Sequence, residues 1–166
     1  VQLDHARASL EQVAHFDPLT ELLNRRGFNR VFAAALQCPD GGCGTCETCR
    51  QVLGRGHADV DQFTPEKLQI TAEESLELIR RASMTPIMGR WNVLIVEDAD
   101  RLNDVSGNAL LKSLEEPPVG TFFFLISHAS DRLLPTIRSR CQILRFEPLS
   151  DADMIDVLQR AAPEVG

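Results

Sequence analysis

The stretch Asn92-Val-Leu-Ile-Val-Glu97-Asp98 decides the fold. Its four central residues are apolar without interruption, whereas a strand with one wet face alternates apolar and polar side chains. Such a run is expected of a strand covered on both faces in a parallel sheet. Downstream, a helix starts near Asn103 or Asp104, sets Val105, Ala109, Leu110 and Leu114 on one side, and is stopped by Pro117-Pro118. Thr121-Phe-Phe-Phe-Leu-Ile126 reads as the next buried strand. After Leu133-Leu-Pro135 comes a basic turn, Arg138-Ser-Arg140. Gln142-Ile-Leu-Arg-Phe146 follows as a further strand, then a helix over 151–161.

Working towards the N-terminus from the same strand, Thr71-Ala-Glu-Glu74 has capping-box spacing ahead of Leu76, Ile79 and Ala82, and Val60-Asp-Gln-Phe63 reads as a short strand. Strands alternating with helices specify an α/β sandwich with a mainly parallel sheet, here four strands centred near residues 60, 94, 124 and 144. The first 37 residues contain no clear strand. Leu3, Ala6, Leu10 and Val13 form one apolar seam, and Asp17-Pro18 caps a helix expected over 19–36, with Gly27 as a point of interruption.

Of 166 residues, 43% are apolar and 25% charged, which suits a globular domain with a proper core. The net charge of −7 argues against strong DNA binding by the chain alone, since non-specific affinity comes from Lys and Arg displacing counterions from phosphates. No apolar run approaches the roughly 20 residues that span a bilayer, and Val1-Gln-Leu-Asp-His5 lacks a signal-peptide layout, so the expectation is a cytoplasmic protein without membrane contact.

Four of the five cysteines, Cys38, Cys43, Cys46 and Cys49, lie within twelve residues of Gly-rich chain, while Cys141 is remote. Spacings of x4, x2 and x2 let four thiolates converge on one Zn²⁺ in a closed structural site, which activates no water. Free thiols on a loop, or a redox role, are the alternatives. Glu97-Asp98 follows the central strand, where ligands of open α/β sheets bind, so the two carboxylates are candidates to hold Mg²⁺ or orient a water. Alternatively, Glu97, Asp98 and Asp100 serve only to cap the next helix and bind Arg101. Arg140, in its basic turn, is either a surface arginine or a planar, permanently charged fork for a neighbour's phosphate.

Three motifs carry a resemblance: Arg90-Trp-Asn-Val-Leu-Ile-Val-Glu-Asp-Ala-Asp-Arg-Leu102, Asn108-Ala-Leu-Leu-Lys-Ser-Leu-Glu-Glu-Pro-Pro118 and Leu134-Pro-Thr-Ile-Arg-Ser-Arg-Cys141. Together with the cysteine insert they resemble bacterial DNA polymerase III clamp-loader subunits, delta-prime first and tau/gamma next, over about residues 31–161. The resemblance implies a P-loop NTPase-like (AAA+) three-layer sandwich over 31–149 with a zinc knuckle at 38–49, and the start of a helical lid at 150–166. It makes Cys38, Cys43, Cys46 and Cys49 zinc ligands and Arg140 an arginine finger acting in trans. Glu97-Asp98 becomes the Walker B region and Ser127 the sensor position. The partners it implies are other clamp-loader subunits, the sliding clamp and, through the assembly, primed DNA. The family's collar domain falls outside these residues.

The fold is expected to be incomplete. No GxxxxGK[ST] stretch is present to cradle phosphates, and Glu-Asp replaces the usual Asp-Glu, so ATP and Mg²⁺ are not expected on this chain. Where the first strand and P-loop would lie, Asp17-Pro-Leu-Thr-Glu-Leu-Leu-Asn-Arg-Arg-Gly-Phe28 resembles the opening of a diguanylate cyclase (GGDEF) domain, although the signature that names that family is absent. Residues 1–30 therefore read as a separate helical segment joined near residues 29–32, the mark of a chimera, a fused gene or a designed recombination. The reading that follows is a non-catalytic subunit fragment. Its rivals are a tau/gamma-like ATPase that lost its P-loop and a cyclase-derived signalling fragment.

Overall fold

The computed structural model describes residues 25–145, with side chains from Asn29 onward. Residues 32–143 form one compact unit, and the described residues on either side belong to a second. The expected seam over residues 1–16, the cap at Asp17-Pro18 and the helix over 151–161 lie outside the described residues.

Helix α1 (Arg25–Gln37) runs through Gly27 without a break, and is followed by the cysteine loop and α2 (Glu47–Leu53). Strand β1 (Val60–Phe63), α3 (Ala72–Ala82), β2 (Asn92–Val96), a 3-10 turn at Ala99–Arg101, α4 (Asp104–Glu115), β3 (Thr121–Leu125) and the single turn α5 (Pro135–Arg138) complete the order. The sheet is parallel with strand order β1-β2-β3. Val93 sits between Val60 and Phe122, and Val96 between Phe63 and Leu125.

All five residues of β2 are buried, and its alternating side chains feed two different cores. Leu94 and Val96 pack with Ile70, Leu78, Ala82, Leu110 and Ile137 from the α3, α4 and α5 side. Val93 and Ile95 pack with Ala33 and Ala34 of α1 and with Cys49 and Val52 of α2. Helices thus cover both faces in three layers, as the uninterrupted apolar run requires. On the α1 side, Phe32 meets Phe124 edge-to-face at 5.1 Å between ring centroids.

Capping fixes where the helices begin and end. The capping box is formed as expected. Thr71 Oγ1 accepts from the Glu74 amide at 3.2 Å, and the Thr71 amide donates to Glu74 Oε2 at 2.7 Å. Asn103 does the same for α4, its Oδ1 accepting from the amides of Val105 and Ser106. The orphan carbonyls at the end of α3 are met by the sheet, where Asn92 Nδ2 donates to the Arg81 carbonyl and Thr121 Oγ1 to that of Ala82.

Two expectations about helix faces are corrected. The buried stripe of α3 is Ser75, Leu78 and Ala82, with Leu76 exposed. At about 100° per residue Leu76 stands a quarter-turn from Ser75, at the rim of the packed face. In α4 the buried residues are Ser106, Gly107 and Leu110, and Val105 points to solvent from the opposite side. The fourth strand is a third correction. Residues 142–145 form no strand and all four side chains are exposed. The turn closing α5, where the Arg140 amide donates to the Ile137 carbonyl, releases the chain with neither face covered, and a strand gains its stability from covered faces.

The loop entering β2 is tied down by a single buried carboxylate. Asp59 accepts amides from Ile87 (2.6 Å), Met88 (2.7 Å) and Gly89 (2.6 Å). Burial alone would raise its pKa, but these three N–H groups outweigh burial and hold the carboxyl below its ordinary value. A depressed folded-state pKa contributes stability above the unfolded pKa, and that contribution is lost as pH falls through the folded value. Asp59→Asn should therefore lower the unfolding free energy at neutral pH by about 2–3 kcal/mol, the cost of weakening charge-assisted bonds to buried amides. In urea titrations the gap to the unmodified chain should narrow below about pH 3.8.

Candidate functional site

The cysteine loop is shaped by glycines at left-handed positions. Gly42 (φ +94°) and Gly44 (φ +76°) flank Cys43, and a Cβ on Gly42 would lie 3.1 Å from the Ala35 backbone. Cys38 leaves the end of α1, and Cys46 caps α2, its Sγ accepting the Cys49 amide at 3.4 Å. The four Sγ atoms lie within 4.8 Å of one another, with Cys38 3.9 Å from Cys43 and 3.7 Å from Cys46. For a metal–sulfur bond of about 2.3 Å the edge of a tetrahedron is about 3.8 Å, so the donors fit one tetrahedral ion. No disulfide joins them.

The four thiols differ in their surroundings. Amides of Cys43 and Gly42 lower the Cys38 pKa, and amides of Thr45 and Cys46 bring Cys43 down to about 6. Burial pushes Cys49 up to about 12. Cys38, Cys46 and Cys49 belong to the same cluster as Val93 and Ile95, so the knuckle is rooted in the core.

At the other end of β2 lies the carboxylate pair. Glu97 is buried, its Oε1 accepting from Gln62 Nε2 at 2.5 Å and its Oε2 from Thr64 Oγ1 at 3.0 Å. Asp98 adopts a left-handed conformation (φ 48°), an uncommon geometry outside glycine that aspartate tolerates better than most residues. Its Oδ2 is 3.0 Å from Arg101 Nη2 and its Oδ1 3.1 Å from His128 Nε2. Ser127 donates to Asp100 Oδ1 at 2.9 Å, and the His128 amide adds a second bond. Burial would raise the Asp100 pKa, but these donors more than offset it and hold the carboxyl below its usual value. Every carboxylate expected to face a metal is thus engaged by protein donors, and the Asp98–Arg101 pair matches the alternative reading of this segment.

Arg140 stands apart from that cluster, exposed just beyond α5. Its Nε and Nη2 both contact Glu115 Oε1, and its Nη1 donates to the Thr136 carbonyl at 2.8 Å. No residue spacing signals Gln62 as the partner of Glu97, 35 residues away, or Glu115 as that of Arg140, 25 residues away. Only the closed fold brings them together. Residues 17–28, which carry the cyclase resemblance, have no described side chains.

Comparison with known proteins agrees with this architecture. A sequence profile of the family described as DNA polymerase III, delta subunit, matches residues 21–150, beginning ahead of the expected join at residues 29–32. The chain is 36% identical to DNA polymerase III subunit delta' of Pseudomonas aeruginosa, over 86% of its own length and 45% of that protein's. It is 36% identical to subunit delta' of Escherichia coli, over 75% of its own length and 38% of that protein's. To subunit gamma/tau of Mycobacterium tuberculosis it is 31% identical, over 82% and 25%. A crystal structure of a gamma-subunit-related protein from Thermotoga maritima superposes with a TM-score of 0.54 at 25% identity, covering 69% of this chain and 40% of that one. The chain spans less than half the length of these relatives. It belongs to the DNA polymerase III delta-subunit family and resembles the delta' members within it.

Proposed function

We propose that this chain acts as a non-catalytic, delta-prime-like clamp-loader subunit, assisting ATP-driven loading of the sliding clamp by offering Arg140 to a nucleotide on a neighbouring subunit. The observation that carries this reading is where the charged groups stand. Glu97 and Asp98 are held by donors from their own chain at the end of β2, and Arg140, paired with Glu115 and the Thr136 carbonyl, is exposed beyond α5. A divalent ion at those carboxylates would compete with Gln62, Thr64, Arg101 and His128 for the same oxygens. A planar, permanently charged arginine on a rim suits a γ-phosphate presented from outside.

In this reading residues 31–149 supply the AAA+ core and 150–166 open the helical lid. Cys38, Cys43, Cys46 and Cys49 hold a structural Zn²⁺ that stiffens the face of β2 opposite α3 and α4. Partners are the ATP-binding subunits of a cytoplasmic assembly, and primed DNA and the sliding clamp are reached through that assembly. Among the described residues no helix is long and apolar enough to cross a membrane. The rival tau/gamma-type ATPase draws support from the gamma/tau relatives, but the engaged carboxylates weigh against it.

Two measurements test these roles. In a complex with gamma/tau-type subunits, the chain should stimulate their ATP hydrolysis, and Arg140→Ala should remove that stimulation by a factor on the order of 10³, the scale of a trans-acting arginine. Elemental analysis with thiol titration should find one zinc per chain and four thiols protected until a chelator is added. Cys49→Ser should lose the metal and the protection together.

A further inference from the structure

Arg140 is oriented by α4 as well as by its own turn. Leu134 and Ile137, which flank and form α5, lie against Gly107 so closely that a Cβ there would come 2.3 Å from Leu134 Cδ1 and 3.3 Å from Ile137 Cδ1. Ile137 is fully buried in the core that also holds Leu110 of α4. α5 thus docks against the first turn of α4, and the Arg140 side chain reaches from beyond α5 to Glu115, the last residue of α4. There Glu115 Oε1 takes both Nε and Nη2 of Arg140, which make up one side of the guanidinium fork. The Thr136 carbonyl, at 2.8 Å, and Ser139 Oγ, at 3.3 Å, receive Nη1. A long, rotamer-rich side chain is therefore held from two elements while a third of it remains exposed.

We infer that Glu115 is a positioning residue for Arg140, its ion pair with Nε and Nη2 fixing the side chain at the surface, from where the guanidinium exchanges its Thr136 and Ser139 acceptors for an anionic phosphate on a neighbouring subunit. This rests on the proposed trans-acting role of Arg140. Glu115 touches no nucleotide in this account. Its effect is to raise the fraction of arginine side chains already in the productive rotamer, which lowers the ordering cost at the moment of reaction.

The test uses the chain assembled with gamma/tau-type ATP-binding subunits, with kcat and KM for ATP measured on the assembly. Glu115→Gln should lower the stimulated kcat by about two- to fivefold, the population change that a partly exposed ion pair can impose. KM for ATP should be unchanged, and so should the amount of complex by gel filtration. Glu115→Asp, which keeps the charge, should recover part of the loss. A merely structural role would show as weaker assembly or a lower unfolding midpoint with kcat intact. If Arg140→Ala abolishes stimulation while Glu115→Gln leaves kcat untouched, the positioning role is overturned and the arginine's role stands. If neither variant changes kcat, the trans-acting reading falls, and the role of Glu115 with it.

Discussion

The structure depends on the burial of β2 from both sides. Within a single five-residue strand, Val93 and Ile95 commit to α1, α2 and the cysteine loop, while Leu94 and Val96 commit to α3, α4 and α5. Sliding the strand by one residue would exchange every side chain between the two cores, so its register is strongly fixed. Asp59, by gathering three amides of the preceding loop, sets where the strand enters. Its exit is set by backbone bonds that reach both neighbours, Glu97 to Phe63 and Ala99 to Ile126. The same strand therefore supports the cysteine knuckle on one face and delivers the carboxylate pair at its end.

Charge distribution gives the two sites opposite character. At the knuckle, four sulfur donors converge within reach of one metal ion, with backbone amides lowering Cys38 and Cys43 and burial raising Cys49. At the end of β2 the balance is already internal, because Gln62, Thr64, Arg101 and His128 supply the donors that a bound ion would otherwise replace. A fold that can bind nucleotide thus carries, in this chain, a carboxylate pair committed to its own neighbours. The permanently charged Arg140 stands exposed beyond α5, paired with Glu115.

Local chemistry was legible in the sequence wherever a single segment decides the outcome. The three strands, the Thr71–Glu74 capping box, the Asn103 start of α4 and the four-cysteine cluster all rest on residues within a dozen positions of one another. The buried stripe of α3 was misjudged because Leu76 is apolar but sits at the rim, while the small Ser75 occupies the centre. The strand expected over 142–146 failed for a related reason. Its composition suits a sheet, but a strand also needs a covered face, and 142–145 have none. The partners of Glu97 and Arg140 could not be read at all, since they depend on the alignment of β1 with β2 and on the close approach of α5 to α4 at Gly107.

In the proposed role, this delta-family chain contributes to nucleotide chemistry without binding the nucleotide itself, which calorimetric titration of the chain with Mg²⁺-ATP decides. The account predicts no saturable heat up to millimolar nucleotide, with unfolding temperature unchanged by ATP. Saturable binding with a Kd in the micromolar range, lost in Glu97→Gln, would contradict it.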